Sequence, residues 1–143
     1  MKSHAVKALV AATVLCMSSL SLAQQARDYG REEYEANCAS CHGTNGQGFG
    51  PMRPYLTKMP SDLTTIARRN GGVFPNQLMW EVIDGRTSTQ IGPHGSREMP
   101  VWGDDYRAEA MRQAGGPSPQ GPEWYVRGKI VALLDYLARM QVK

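Results

Sequence analysis

Cysteine is scarce in this chain of 143 residues, and its scarcity excludes several classes of protein. Of the three cysteines, Cys16 lies in an N-terminal segment that we predict to be removed, which leaves Cys38 and Cys41. Two cysteines leave no spare thiol for a disulfide framework. A structural zinc site would need a second pair of Cys or His residues, and none follows this pair.

A long hydrophobic run is also missing. Two lysines precede an apolar stretch at residues 8–15, and small residues at Ser21 and Ala23 suit a cleavage site. A membrane span needs about 20 apolar residues, and serines cut this run short. We therefore predict that residues 1–23 are a cleaved signal peptide and that residues 24–143 form one domain in the periplasm. The mature domain should have no stable membrane insertion.

Lysine and a strong basic charge are lacking once the signal peptide is removed. Loss of Lys2 and Lys7 lowers the formal net charge from +3 to +1, and the lysines that remain are Lys58, Lys129 and Lys143. No large basic field survives, so we predict that the domain does not bind nucleic acid. The few lysines give no evident ring for docking an acidic partner.

Alternating strand patterns and internal repeats are absent, whereas 15 glycines and 9 prolines indicate many loops. Helical spacing together with helix start and stop signals predicts an all-α domain. The predicted helices cover residues 27–41, 61–72, 74–85 and 122–141. Residues 86–103 are predicted to be irregular, and residues 104–121 are predicted to be a polar insert that forms a mobile surface loop.

The sequence does contain the motif Cys38-Ala39-Ser40-Cys41-His42. Two thiols three positions apart, with an imidazole directly after the second, match the attachment site of a c-type haem whose iron takes the imidazole as a ligand. A redox dithiol would not need the histidine, and it would be expected near a βαβ pattern, of which the chain shows no sign. The motif therefore predicts one covalently bound haem c.

The motif leaves the second axial ligand of the iron open. The other candidates after the signal peptide are His94, Met52, Met59, Met79, Met99, Met111 and Met140. Met99 lies in a loop bounded by glycine and proline just ahead of the last long helix, and it is our choice. Met59 is a weak rival. His94 is the chief rival, since bis-histidine ligation would lower the reduction potential.

In combination these motifs make residues 27–141 resemble a monohaem class I cytochrome c of the bacterial periplasmic kind. The motifs that carry the resemblance are Gly30-x3-Tyr34-x3-Cys38-x2-Cys41-His42, Gly50-Pro51, Met99-Pro100-x-Trp102-Gly103 and Leu133-x2-Tyr136-Leu137. The resemblance implies the class I cytochrome c fold, with short helices and loops wrapped around one haem. The N- and C-terminal helices would cross where Gly30 and Tyr34 meet Leu133 and Tyr136.

By the same resemblance, Cys38 and Cys41 carry the thioether bonds, His42 is the proximal ligand and Met99 is the distal one. The Pro51 carbonyl is the expected acceptor for the other ring nitrogen of His42.

Arg97 and Trp102 flank the expected distal ligand and could hydrogen-bond a haem propionate. A solvated arginine and a packed indole explain the two residues equally well. The segment 104–121 is longer than the compact members of the family have, and it could supply docking surface for a dedicated partner.

Two axial ligands would leave no open iron position, which favours electron transfer over catalysis and a positive midpoint potential. We predict a soluble periplasmic carrier, or the cytochrome subunit of a dehydrogenase or respiratory complex, that is not itself an enzyme. Its partners would be a periplasmic dehydrogenase, a reductase or a terminal oxidase. The alternatives are a haem protein or enzyme with a displaceable sixth ligand, and a dithiol domain without haem.

Overall fold

The computed structural model of the protein describes residues 27–86, 99–113 and 121–142. These residues form helices and short 3-10 turns, and no strand occurs among them. The helices are α1 (Tyr29–Asn37), α2 (Ala39–His42), α3 (Ile66–Arg69), α4 (Asn76–Asp84), α5 (Trp102–Gln113) and α6 (Glu123–Arg139), and the 3-10 turns are Arg53–Tyr55 and Leu63–Thr65. None of these helices has the length and apolar character needed to cross a bilayer. The prediction of an all-α domain is confirmed.

Helix α1 crosses α6 in close contact. Gly30 is the point of closest approach, because a Cβ atom at this position would overlap the Ala132 carbonyl of α6. One turn further on, the ring of Tyr34 lies 5.3 Å from the ring of Tyr136. The predicted crossing of the first and last helices is therefore confirmed, and its cause is the missing side chain at Gly30.

The hydrophobic core lies along the inward face of α6. This face repeats at helical spacing, as predicted, and consists of Val126, Ile130, Leu133, Leu134 and Leu137. Tyr34 of α1, Ile83 of α4 and Tyr106 of α5 are buried against it. Because each fully buried large side chain stabilises a fold by about 1.5–3 kcal/mol, these contacts hold the helices together.

Helix α3 is tied to the chain beyond α6. Asp62 caps its 3-10 start, since the Asp62 carboxylate accepts a hydrogen bond from the Thr64 amide at 2.8 Å. The side chain of Gln141 accepts from the Ala67 amide and donates to the Leu63 carbonyl, both at 2.8 Å. The predicted helix start is confirmed, whereas the tie to Gln141 was not predicted.

The prediction of a mobile surface loop over residues 104–121 is wrong for its first part, which belongs to α5. Asp104 and its acidic neighbour lie in the first turn, where negative charge suits the positive end of a helix. Tyr106 and Ala110, four residues apart, are buried on the inner side of α5. This helix was not predicted because its sequence is mostly polar and only a narrow face of it packs inward. Residues 114–120 lie outside the described residues.

The crossing at Gly30 leads to a stability prediction. Gly30→Ala should lower the free energy of unfolding of the haem-loaded protein by about 1–3 kcal/mol, because the new methyl group must displace the Ala132 carbonyl. Gly128→Ala is the matched control, since Gly128 also lies in a helix but meets nothing within 4 Å. This control should gain up to about 1 kcal/mol from helix propensity. Denaturant titration measures both, and equal unfolding midpoints would contradict the close crossing.

Candidate cofactor site

A cavity of about 220 Å³ opens beside the end of α1. It lies between α2, the segment 56–60 and the start of α5. Five of the seven residues predicted for the site line it together, namely Cys38, Cys41, His42, Met99 and Trp102. Side chains separated by about 60 positions in the sequence thus meet at one place.

Of the other two predicted site residues, the structure describes only Pro51. Pro51 is exposed and lies away from the cavity wall. Arg97, like the rival ligand His94, lies outside the described residues. The rival ligand Met59 does line the cavity, but half of its surface is exposed.

The attachment motif forms a helical turn that continues from α1. Cys38 joins the two helices, and its carbonyl accepts hydrogen bonds from the amides of Cys41 at 3.1 Å and His42 at 2.9 Å. The buried Tyr34 hydroxyl donates to the Gly43 carbonyl at 2.6 Å, directly after the turn. Because Tyr34 is fixed at the crossing with α6, the core of the protein also fixes the turn.

Cys38 and Cys41 are both partly buried free thiols, and Cys38 packs against the hydrophobic cluster of the helices. Burial, followed by the negative charge of Glu33, raises the pKa of the Cys38 thiol to about 12. Redox-active CxxC cysteines have lowered thiol pKa values, because the thiolate is their reactive form. The environment of Cys38 therefore does not fit a redox dithiol.

His42 is buried, with 7% of its surface exposed. Its Nδ1 atom lies 3.1 Å from the Ser61 carbonyl oxygen. Burial lowers the pKa of His42, while the hydrogen bond to Ser61 acts in the opposite direction. The imidazole is therefore favoured in its neutral form, which is the form that binds metals.

The expected acceptor for His42, the Pro51 carbonyl, is replaced by the Ser61 carbonyl. Gly48 explains the difference, because a Cβ atom there would overlap the Pro60 carbonyl. Only glycine allows the chain at Pro60 and Ser61 to approach the turn so closely. The sequence could have pointed to this contact through the glycines that follow His42, but it does not say which later residue fills the space.

Two residues from the later part of the chain, Met99 and Trp102, line the cavity and contact the hydrophobic core. Met99 and Trp102 are partly buried and pack against the hydrophobic cluster of the helices. The ring of Trp102 stacks on Tyr106 with a centre-to-centre distance of 5.8 Å and an angle of 28° between the planes. Trp102 is therefore held at the cavity wall by packing against a neighbouring ring.

An ion-pair network that sequence reasoning missed holds the start of α5. The Arg86 guanidinium donates to the buried Asp84 carboxylate at 2.6 Å and to Glu123 at 2.8 Å. Arg107 of α5 binds the same Glu123 carboxylate. Gly103 packs so tightly on Asp84 that a Cβ atom would overlap its carboxylate. The network thus joins the end of α4, the middle of α5 and the start of α6, and it contacts α5 at Gly103, next to Trp102.

The all-helical fold, with an attachment turn after its first helix and a histidine and a methionine on the wall of one cavity, defines a class I cytochrome c domain. Comparison with protein families matches residues 25–115 to the family described as cytochrome c oxidase, cbb3-type, subunit III. The match covers more than half of the chain, and the chain belongs to this family. No curated protein and no solved structure matches it.

Membership in this family of monohaem cytochrome c domains establishes the cofactor as covalently bound haem c with its iron, and the activity as haem-based electron transfer. The residues of the cavity fit this group. Two thiols occupy one helical turn, and an imidazole with its Nδ1 atom near a carbonyl follows them. The thioether of Met99 lines the same cavity, and a thioether is one of the side-chain groups that bind haem iron.

The ion-pair network leads to a second prediction. Asp84→Asn should lower the free energy of unfolding by about 1–3 kcal/mol, because the ion pair of Asp84 with Arg86 is intermediate between a fully buried pair and an exposed one. Asp135→Asn is the control, since Asp135 pairs with Arg139 in an exposed position and should cost at most about 0.5 kcal/mol. Chemical unfolding of the haem-loaded variants measures both values. If both variants lose the same free energy of unfolding, the ion pair of Asp84 with Arg86 stabilises the fold no more than the exposed pair does.

Proposed function

We propose that the protein is an exported electron carrier in which Cys38 and Cys41 hold the haem through thioether bonds, while His42 and Met99 bind its iron. The observation that carries this proposal is the single cavity lined by all four side chains. When bound, the haem supplies one-electron chemistry at its iron, and the protein supplies attachment, ligands and a dry environment.

The contact between His42 and Ser61 supports the role of the imidazole. A metal-binding histidine normally donates its other ring nitrogen to a carbonyl, which fixes the tautomer and the orientation of the ring. With the Nδ1 proton directed at the Ser61 carbonyl, 3.1 Å away, Nε2 carries the lone pair that binds iron. The low exposure of His42 also keeps the ring neutral, which favours coordination.

Met99 is favoured over Met59 by its surroundings. Met99 packs against the core and lies directly before the segment that the network of Asp84 and Arg86 holds in place. Met59 lines the cavity with half of its surface exposed. A ligand must be held at a fixed position to keep the iron saturated, and packing against the core gives Met99 this support.

Saturated ligation by His42 and Met99 suits an electron carrier rather than an enzyme, because no iron position is left open for substrate. We infer that residues 1–23 direct export and that residues 24–143 work in the periplasm. There the protein would serve as a free carrier or as the cytochrome subunit of a larger complex. It would exchange electrons with a periplasmic dehydrogenase, a reductase or a terminal oxidase, at a positive midpoint potential.

The assignment of the distal ligand is tested by absorption spectroscopy. Met99→Ala should abolish the weak sulfur-to-iron band of the oxidised protein, because no thioether would then reach the iron. Met59→Ala and His94→Ala should keep the band and serve as matched controls. Loss of the band in Met59→Ala but not in Met99→Ala would contradict the assignment.

Binding of carbon monoxide distinguishes an electron carrier from a haem protein that binds small molecules. The reduced wild-type protein should not bind carbon monoxide at neutral pH, since Met99 occupies the sixth position, whereas reduced Met99→Ala should bind it. Difference spectra after addition of the gas measure both. Rapid binding by the wild-type protein would favour the alternative function, with a displaceable ligand.

A further inference from the structure

Large apolar side chains are exposed beside the cavity. Phe49, Met52, Tyr55 and Met59 expose 63%, 44%, 80% and 50% of their surface within the segment 49–59, which we call the rim segment. Single exposed apolar side chains are ordinary in soluble proteins, whereas a contiguous group marks an interaction surface. Met59 also lines the cavity, so the rim segment borders the place where the haem is held.

The backbone of the rim segment is fixed against the attachment turn. The Gly50 amide donates to the Cys41 carbonyl at 3.1 Å, and the Met52 amide donates to the Ser40 carbonyl at 2.9 Å. A Cβ atom at Gly50 would overlap the Ser40 carbonyl, so glycine is required for this contact. The backbone that carries these side chains is therefore held in place before any partner arrives, which reduces the entropy lost on binding.

Positive charge is concentrated in the part of the chain that contains the rim segment. Residues 43–75 carry one acidic residue, Asp62. They carry four cationic residues, namely Arg53, Lys58, Arg68 and Arg69. The carboxylate of Asp62 is engaged internally, because it accepts hydrogen bonds from the amide and the hydroxyl of Thr64. The other described residues carry eight cations and eleven anions. The described protein thus has a positive loop region and a negative helical region.

The arginine at the centre of the rim segment adds its charge to the apolar surface. The Arg53 guanidinium lies 4.6 Å from the centre of the Phe49 ring. The ion pairs among the described residues join side chains of the helical region, such as Arg139 with Asp28, and none of them involves Arg53. A carboxylate on another protein could therefore approach Arg53 without first breaking such a pair.

We propose that the rim segment is the docking surface for the electron-exchange partner, and that this partner is a protein with an apolar area bordered by carboxylates. The proposal rests on the proposed function, since an electron must cross near the haem. The apolar side chains would supply contact area, and the cations would steer the encounter, which makes association fast and sensitive to salt.

The test uses the haem-loaded protein, free in solution, in diffusional voltammetry at a gold electrode. The electrode carries a mixed monolayer of methyl- and carboxylate-terminated thiols, which serves as the probe for an apolar surface bordered by carboxylates. The test variant combines Arg53→Glu with Tyr55→Ser. The control variant combines Arg112→Glu with Met111→Ser, which makes the same change of charge and removes another exposed apolar side chain at the far end of α5.

We expect the test variant to lower the rate of electron exchange with this surface at least roughly tenfold at low salt, because steering by charge changes encounter rates by 10–10³-fold. The control should lower the rate severalfold less than the test variant, because its charge lies at the far end of α5 and the interaction of charges weakens with distance. Rates that fall equally in both variants, or in neither, would overturn the assignment of the docking surface.

Two further measurements distinguish failure of the docking proposal from failure of the proposed function. Reduction by dithionite and the visible spectrum should be the same in all three proteins; if the wild-type protein is not reduced at all, the proposed function itself is wrong. Sedimentation identifies self-association. A wild-type dimer that becomes a monomer in the test variant would overturn the proposal, because the rim segment would then be a contact between two copies of the chain.

Discussion

The close crossing of α1 and α6 determines where the cavity proposed to hold the haem can lie. The attachment turn continues directly from α1, so the position of its thiols follows from the contact between Gly30 and Ala132. Tyr34 strengthens this link, because its ring packs at the crossing while its hydroxyl binds the Gly43 carbonyl after the turn. The position of the five-residue motif thereby depends on a helix that lies about a hundred residues further along the chain.

The cavity is part of the hydrophobic core rather than an addition to it. Cys38, Met99 and Trp102 line the cavity and also pack against the buried cluster of the helices. The ion-pair network adds to this arrangement, since it joins three helices and contacts Gly103, the neighbour of Trp102. Stability of the fold and geometry of the cavity are therefore coupled through shared side chains.

The sequence predicted those features that depend on local pattern. The attachment motif, the inward face of α6 and the crossing at Gly30 all show fixed spacing, and the structure contains the face and the crossing as expected. The Ser61 carbonyl was missed because its approach to His42 depends on where two loops meet, which spacing does not determine. Helix α5 was missed because its inward face is short and its other positions are polar.

The tie between Gln141 and the start of α3 extends the support of the candidate site beyond the residues that match the family. The family match ends at residue 115, yet Gln141 holds the Leu63 carbonyl, only two positions after the residue whose carbonyl faces His42. A change at Gln141, near the C-terminal end of the last helix, would therefore reach the carbonyl that orients the His42 ring. Under the proposed function, the setting of an iron ligand depends in this way on a residue outside the matched range.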